Sequence, residues 1–153
     1  MSIWWSLHLR REAASVPLAR RLLLGAMETA GVDPDISYDL SVALSEACAN
    51  AVEHGGDDAS GPHSAQYRVT AYLDGEKCRI EVTDSGPGFP PVRCRGTRAA
   101  RPAHTRESGR GLCLIEQLAD HVHFRNRPRP GRGAVVTFDK ILKWREGALL
   151  QAS

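Results

Sequence analysis

Glu46 and Asn50 stand four residues apart, so on a helix they share one face, and His54 extends the same line. An amide oxygen such as that of Asn50 suits Mg²⁺, which takes hard oxygen ligands and keeps waters and phosphate oxygens beside them. A carboxylate such as that of Glu46 can accept a proton from an attacking hydroxyl or water. A solvated helix edge carries the same residue types, and E-x-x-x-N alone does not separate the two readings. Further on, Asp84 closes the run Arg79-Ile-Glu-Val-Thr83 and is followed by Gly86 and Gly88. A carboxylate there can accept from an adenine amino group, and the glycines let the backbone come close to a ligand. An ordinary Asp/Gly/Pro turn leaving a strand would look the same. Last, Gly109-Arg110-Gly111 leads into a helical pattern that starts near Leu112. Backbone N–H groups at a helix start attract phosphate, glycines permit a concave anion-binding arrangement, and Arg110 adds a charge-assisted contact. The plain alternative is a flexible lead-in capped by Ser108. The ordered set of three motifs points to an ATP site without a Walker-type P-loop.

The elements that must position these groups can be read from hydrophobic period. Ile3, Trp5, Leu7 and Leu9 alternate along Ile3 to Arg11, which predicts a half-buried strand with Trp4 on the opposite side. Ser15 is expected to cap a helix whose first turn holds Pro17 and which runs through Leu18 to Ala30, with Gly31 as its stop. Asp33-Pro34 restarts a helix, striped by Ile36, Leu40, Leu44, Ala47 and Ala51 and ended by Gly55-Gly56. At about 100° per residue, the Glu46–Asn50 line borders that stripe, at the rim of the core. Alternating runs over Gln66 to Leu73 and Cys78 to Thr83 flank Asp74-Gly75, a hairpin signal. A long Gly-, Pro- and Arg-rich interval follows, then a helix over Leu112 to Leu118 and two strands, Val122 to Asn126 and Val135 to Leu142. The order β-α-α-β-β-loop-α-β-β predicts an α/β two-layer sandwich, a mixed, mainly antiparallel sheet with its helices on one face.

The 153 residues suit one domain spanning 1–153. The net charge of +2 is too small to imply nucleic-acid binding by itself. Arg93, Arg95, Arg98, Arg101 and Arg106 make the interval before the last helix basic, but no aromatic residue past Phe89 accompanies them for base stacking. A solvated loop, an anion patch and a nucleic-acid module are the readings of that interval, and direct nucleic-acid binding is the least supported. No run is long and apolar enough for a membrane span, and the N-terminus lacks the pattern of a secretory signal. The four cysteines form no C-x-x-C pair, which disfavours zinc and dithiol chemistry; Cys48 and Cys113 read as packing residues, and free thiols fit a cytoplasmic protein.

LSEACANAVEHG, VTDSGPGF and SGRGLCLIEQLAD resemble the N box and the two glycine boxes of the GHKL ATP-binding superfamily, whose fold is the Bergerat ATP-binding fold. The likeness runs from about Leu7 to Leu142. Length and the form S-E-A-x-x-N-A-x-x-H-G resemble the standalone anti-sigma-factor serine kinases of the RsbW/SpoIIAB type. That resemblance implies ATP and Mg²⁺ as cofactors, a homodimer, sequestration of a sigma factor, and phosphorylation of a STAS-type anti-anti-sigma protein on serine. By position it implies Glu46 as base, Asn50 as the Mg²⁺ ligand and His54 beside the nucleotide. Asp84 would read adenine, with Gly86 and Gly88 lining the pocket. Gly109, Arg110, Gly111 and Leu112 would close over phosphate, and an ATP lid would span about 89–108. Ala19-Arg20 resembles the partner-contacting arginine position, with Arg21 taking it in a shifted alignment. Two positions depart from the family pattern: Ala134 follows Gly133 where a threonine is common, and Glu107 stands where an arginine can precede the second glycine box, with Arg106 or Arg110 as candidates to compensate. These departures keep a non-catalytic, nucleotide-controlled regulator open as the alternative to a kinase.

Overall fold

The structure is a computed structural model that describes residues 2–54, 65–86, 106–126 and 133–147, with backbone only for 106–110. Gly88, Cys94 and the interval 89–105 of the expected lid lie outside the described residues.

Eight elements follow in the expected order: β1 (Ile3–Arg10), α1 (Ser15–Ala30), α2 (Pro34–His54), β2 (Gln66–Leu73), β3 (Lys77–Asp84), α3 (Arg106–Leu118), β4 (His121–Asn126) and β5 (Ala134–Ile141). The strands form one sheet in the order β1-β2-β3-β5-β4, antiparallel at all four pairings. β5 therefore slots between β3 and β4. The register pairs Leu9 with Tyr67, Tyr67 with Asp84, and Thr83 with Val135.

Strand alternation gives the sheet two unlike faces. Tyr67, Val69, Ala71 and Leu73 of β2, Cys78, Ile80 and Val82 of β3, and Val136 and Phe138 of β5 are buried in one cluster with Leu23 and Met27 of α1 and Leu40, Leu44, Ala47 and Cys48 of α2. The alternate residues Trp4, Tyr72 and Ile141 are exposed. Trp5, on the other side of β1 from Trp4, packs against the cluster, as the period of that strand requires.

The helix ends show what fixes them. Gly31 adopts the left-handed conformation at φ 91° and returns its N–H to Met27 and Glu28, closing α1. Asp33 accepts the Asp35 N–H at 2.8 Å, so Asp33-Pro34 starts α2. Ser15 is not the cap expected of it. Ala14 holds that position without a side-chain bond, and Ser15 is buried inside the first turn. Its hydroxyl lies 2.7 Å from the Glu12 carbonyl and 2.5 Å from the Tyr67 hydroxyl, partners a buried oxygen needs more than a helix end does. Asp74 turns the β2–β3 hairpin by accepting from the N–H groups of Glu76 and Lys77.

α3 begins at Arg106, earlier than the period near Leu112 indicates. Gly109, Arg110 and Gly111 thus sit within its first turns, and the N–H groups without an intrahelical partner are those of 106–109.

Burial pushes the thiols of Cys48 and Cys78 from 9.0 up to about 12, and that of the Tyr67 hydroxyl upward as well, again mainly by desolvation. Each group is raised in the folded chain, so its stabilising effect is complete below pH 9 and fades as pH climbs toward 12. Stability measured by urea unfolding is expected to fall from pH 8 to pH 11. In Cys48→Ala/Cys78→Ala that slope flattens, although the double variant is less stable than wild type at pH 7.

Candidate functional site

Of the expected site residues, Asp84 stands at the end of the sheet where β3 stops and β5 starts. Asp84 is the last residue of β3, and its inward register position leaves it only 5% exposed. A buried carboxylate needs donors. Its Oδ1 accepts the Gly86 N–H at 2.9 Å and the Ala134 N–H at 3.0 Å. Gly86 is itself buried. The two N–H groups come from opposite sides, one from the turn that leaves β3 and one from the first residue of β5, and they fix the orientation of the carboxylate.

The second group comes from the helices. Glu46 and Asn50 are half-buried on α2, at the border of the apolar stripe. Gly111 of α3 meets Glu46: a Cβ at Gly111 would lie 2.9 Å from Glu46 Oε2, 3.8 Å from Cδ and 3.9 Å from Cβ. The first and third motifs are thus in contact, 65 positions apart in the chain by subtraction of 46 from 111. Leu112 packs against the core beside them.

One hydroxyl ties the two groups together. Tyr67 faces Asp84 across the β2–β3 ladder, and its OH bonds to Cys48, which lies between Glu46 and Asn50 on α2. Arg11 adds a second tie, donating from Nη2 to the Val52 carbonyl at 3.1 Å. The Glu46–Asn50 stretch of α2 therefore lies over the Asp84 end of the sheet.

His54 is the last residue of α2, half exposed, with Nε2 3.4 Å from Glu53 Oε2. Arg20 and Arg21 are exposed on α1. Arg21 borders a groove of about 470 Å³ lined by Ile3, Trp5, Leu18, Leu22 and Ala26. The side chains of Glu107 and Arg110 lie outside the described residues, as does Gly88.

The family model for the histidine kinase-like ATPase domain matches residues 9–140. The chain belongs to that family. Among histidine kinase-like ATPases it is 32% identical over 133 residues to the serine-protein kinase RsbW of Bacillus subtilis (strain 168), a match covering 83% of this chain and 78% of that one. It is 28% identical over 120 residues to the anti-sigma F factor of Thermoanaerobacter pseudethanolicus, covering 74% of this chain and 77% of the relative. A chain in the crystal structure of the SiaB–SiaC complex from Pseudomonas aeruginosa has the same fold, with a TM-score of 0.59 at 13% identity and coverage of 90% and 89%.

Against this family background the contact made by Ala134 is the feature that motif reading missed. The family pattern marks this position by its missing hydroxyl, whereas its backbone N–H is what reaches Asp84. Tyr67 was missed too. Only the strand register puts it opposite Asp84.

The donor set suits a purine nucleotide with a hard cation. A carboxylate oriented by backbone N–H groups can accept from an exocyclic amine. An amide oxygen and a carboxylate on one helix face offer only oxygen toward a metal ion. Among the described residues no cluster of three or more His, Cys, Asp or Glu side chains is placed to hold a metal ion.

Asp84→Ala leaves two buried N–H groups without their acceptor, so it is expected to cost about 2–4 kcal/mol in urea unfolding. Asp84→Asn keeps an oxygen at that place and is expected to stay within about 1 kcal/mol of wild type.

Proposed function

We propose that this protein is an ATP-dependent protein-serine kinase that acts in the cytoplasm as an anti-sigma factor, sequestering a sigma factor and phosphorylating a STAS-type anti-anti-sigma protein. The observation that carries this reading is the Asp84 carboxylate, buried and held by the N–H groups of Gly86 and Ala134 at the sheet end beneath Glu46 and Asn50. The kinase and anti-sigma names of the relatives support the rest.

In this reading Asp84 accepts from the adenine amino group, and Gly86 lets the purine approach the backbone. Asn50 offers its amide oxygen to Mg²⁺, and the first turn of α3, with the N–H groups of 106–109, is the part of that helix suited to phosphate. When bound, Mg-ATP supplies the transferable phosphoryl group with part of its charge neutralised. Glu46 accepts the proton of the partner's serine hydroxyl as that oxygen becomes a nucleophile. The exposed Arg20 serves as a partner contact.

A homodimer is supported by the groove between α1 and β1. Leu18 and Leu22 are exposed there beside a strand that pairs only with β2 among the described residues. An apolar helix stripe next to a strand edge can meet its own copy across a two-fold axis, and in this reading a second copy of this chain is the occupant. Trp5 and Ile3 would be covered in the same interface.

Three outcomes test the reading. Glu46→Gln is expected to bind ATP within about threefold of wild type by calorimetry and to lose phosphoryl transfer by a factor of about 100 or more. Asp84→Asn is expected to bind ATP at least about tenfold more weakly, the effect of losing one charge-assisted bond. Leu22→Glu is expected to run as a monomer in sedimentation while keeping its ATP affinity. Wild-type protein that leaves a STAS partner unlabelled by γ-labelled ATP would favour a regulator that uses nucleotide only to select a partner-binding conformation.

A further inference from the structure

Gly111 is a glycine for want of room, not for want of conformational freedom. The glycines with positive φ among the described residues are Gly31, Gly133 and Gly147, and Gly111 lies inside α3, where any residue could adopt the backbone angles. An alanine there would ordinarily favour the helix. What an alanine there would meet is a single neighbour. The three heavy atoms nearest to an added Cβ all belong to Glu46, with the carboxylate oxygen Oε2 at 2.9 Å, closer than real Cβ contacts come. Gly25 of α1, by contrast, has nothing within 4 Å of the same position.

We propose that the bare Cα of Gly111 is the seat of the Glu46 carboxylate, making Gly111 a positioning residue for the base. The inference rests on the reading of Glu46 as the group that accepts the serine proton. It gives α3 a role distinct from contact with phosphate. The face of α3 at residue 111 limits where the carboxylate can stand, so the placement of this helix against α2 sets the aim of the base. The clashing atom is the far end of a flexible side chain, so a methyl at 111 displaces the carboxylate and leaves the two helices where they are. A misplacement of about 1 Å at a reacting group can cost two orders of magnitude in rate. The consequence is an uncommon pair of signs: a substitution that does not weaken the helix and yet slows proton transfer.

The experiment compares wild type, Gly111→Ala, Glu46→Asp and the double variant, each with a STAS partner and Mg-ATP. Gly111→Ala is expected to lower kcat by about 10- to 100-fold, leave KM for ATP within about twofold, and melt at or above the wild-type temperature. Aspartate is one methylene shorter and clears the added methyl, so the double variant is expected to retain more activity than the product of the two single losses. A readout without turnover accompanies this: the ¹³C resonance of the Glu46 carboxyl carbon, in protein free of nucleotide, is expected to shift in Gly111→Ala. Wild-type kcat in Gly111→Ala overturns the proposal. So does a raised KM with an unmoved carboxyl resonance, which would mark a phosphate contact. If wild type transfers no phosphoryl group at all, the kinase reading fails by itself, and the carboxyl resonance still decides whether Gly111 seats Glu46.

Discussion

A buried carboxylate must be satisfied where it lies, and at Asp84 that requirement organises the end of the sheet. Its Oδ1 draws in the Gly86 N–H from the turn after β3 and the Ala134 N–H from the first residue of β5. Without β5 between β3 and β4, the second donor would come from elsewhere. The strand order β1-β2-β3-β5-β4 is therefore not only a packing solution. It brings the backbone of a late strand to the one polar side chain that the inward face of β3 presents. Two strands and a turn share one acceptor, and the remaining groups of the site are placed relative to it.

The helices meet that sheet end through a different kind of constraint. α2 is anchored by Ile36, Leu40, Leu44, Ala47 and Ala51, all buried, and its polar residues lie at the edge of that stripe. Tyr67 bonds to Ser15 of α1 and to Cys48 of α2 while standing opposite Asp84 in the ladder. With the Ser15 hydroxyl directed to the Glu12 carbonyl, the Tyr67 proton is left for Ser15. Each donor is used once along this line. It joins the start of α1, the middle of α2 and the start of β2, so the rotation of α2 that sets Glu46 against Gly111 is tied to the strand facing Asp84.

The parts legible in sequence were those set by local period and turn chemistry. β2 runs from Gln66 to Leu73 as its alternation requires, and Asp33-Pro34 and Gly31 mark real helix ends. Spacing alone placed Glu46 and Asn50 on one helix face. What was not legible depends on contacts between distant segments. Ser15 has the right side chain for a cap, but a tyrosine 52 positions away in sequence claims its hydroxyl. α3 starts before any apolar period because Arg106 to Gly111 has none, and its hold on the fold comes from Leu112 and Ile115. That β4 and β5 pair is readable from the chain order, whereas the insertion of β5 beside β3 is not. The contacts of Ala134 with Asp84 and of Gly111 with Glu46 both follow from that long-range assembly.

The departure at Ala134 bears on this in a way that motif comparison alone does not reveal. A side-chain hydroxyl next to an adenine-reading carboxylate can offer one further hydrogen bond to a ligand, but it is not what holds the carboxylate. The Ala134 N–H is present for any residue but proline. The absence of a hydroxyl at Ala134 therefore leaves the Asp84 geometry undisturbed, and in the proposed reading its effect falls on nucleotide affinity. The Glu46 carboxylate stands apart from these contacts, over the bare Cα of Gly111. In the proposed reading, binding and proton transfer thus rest on different contacts, the first on the backbone N–H groups at the sheet end and the second on the approach of α3 to α2.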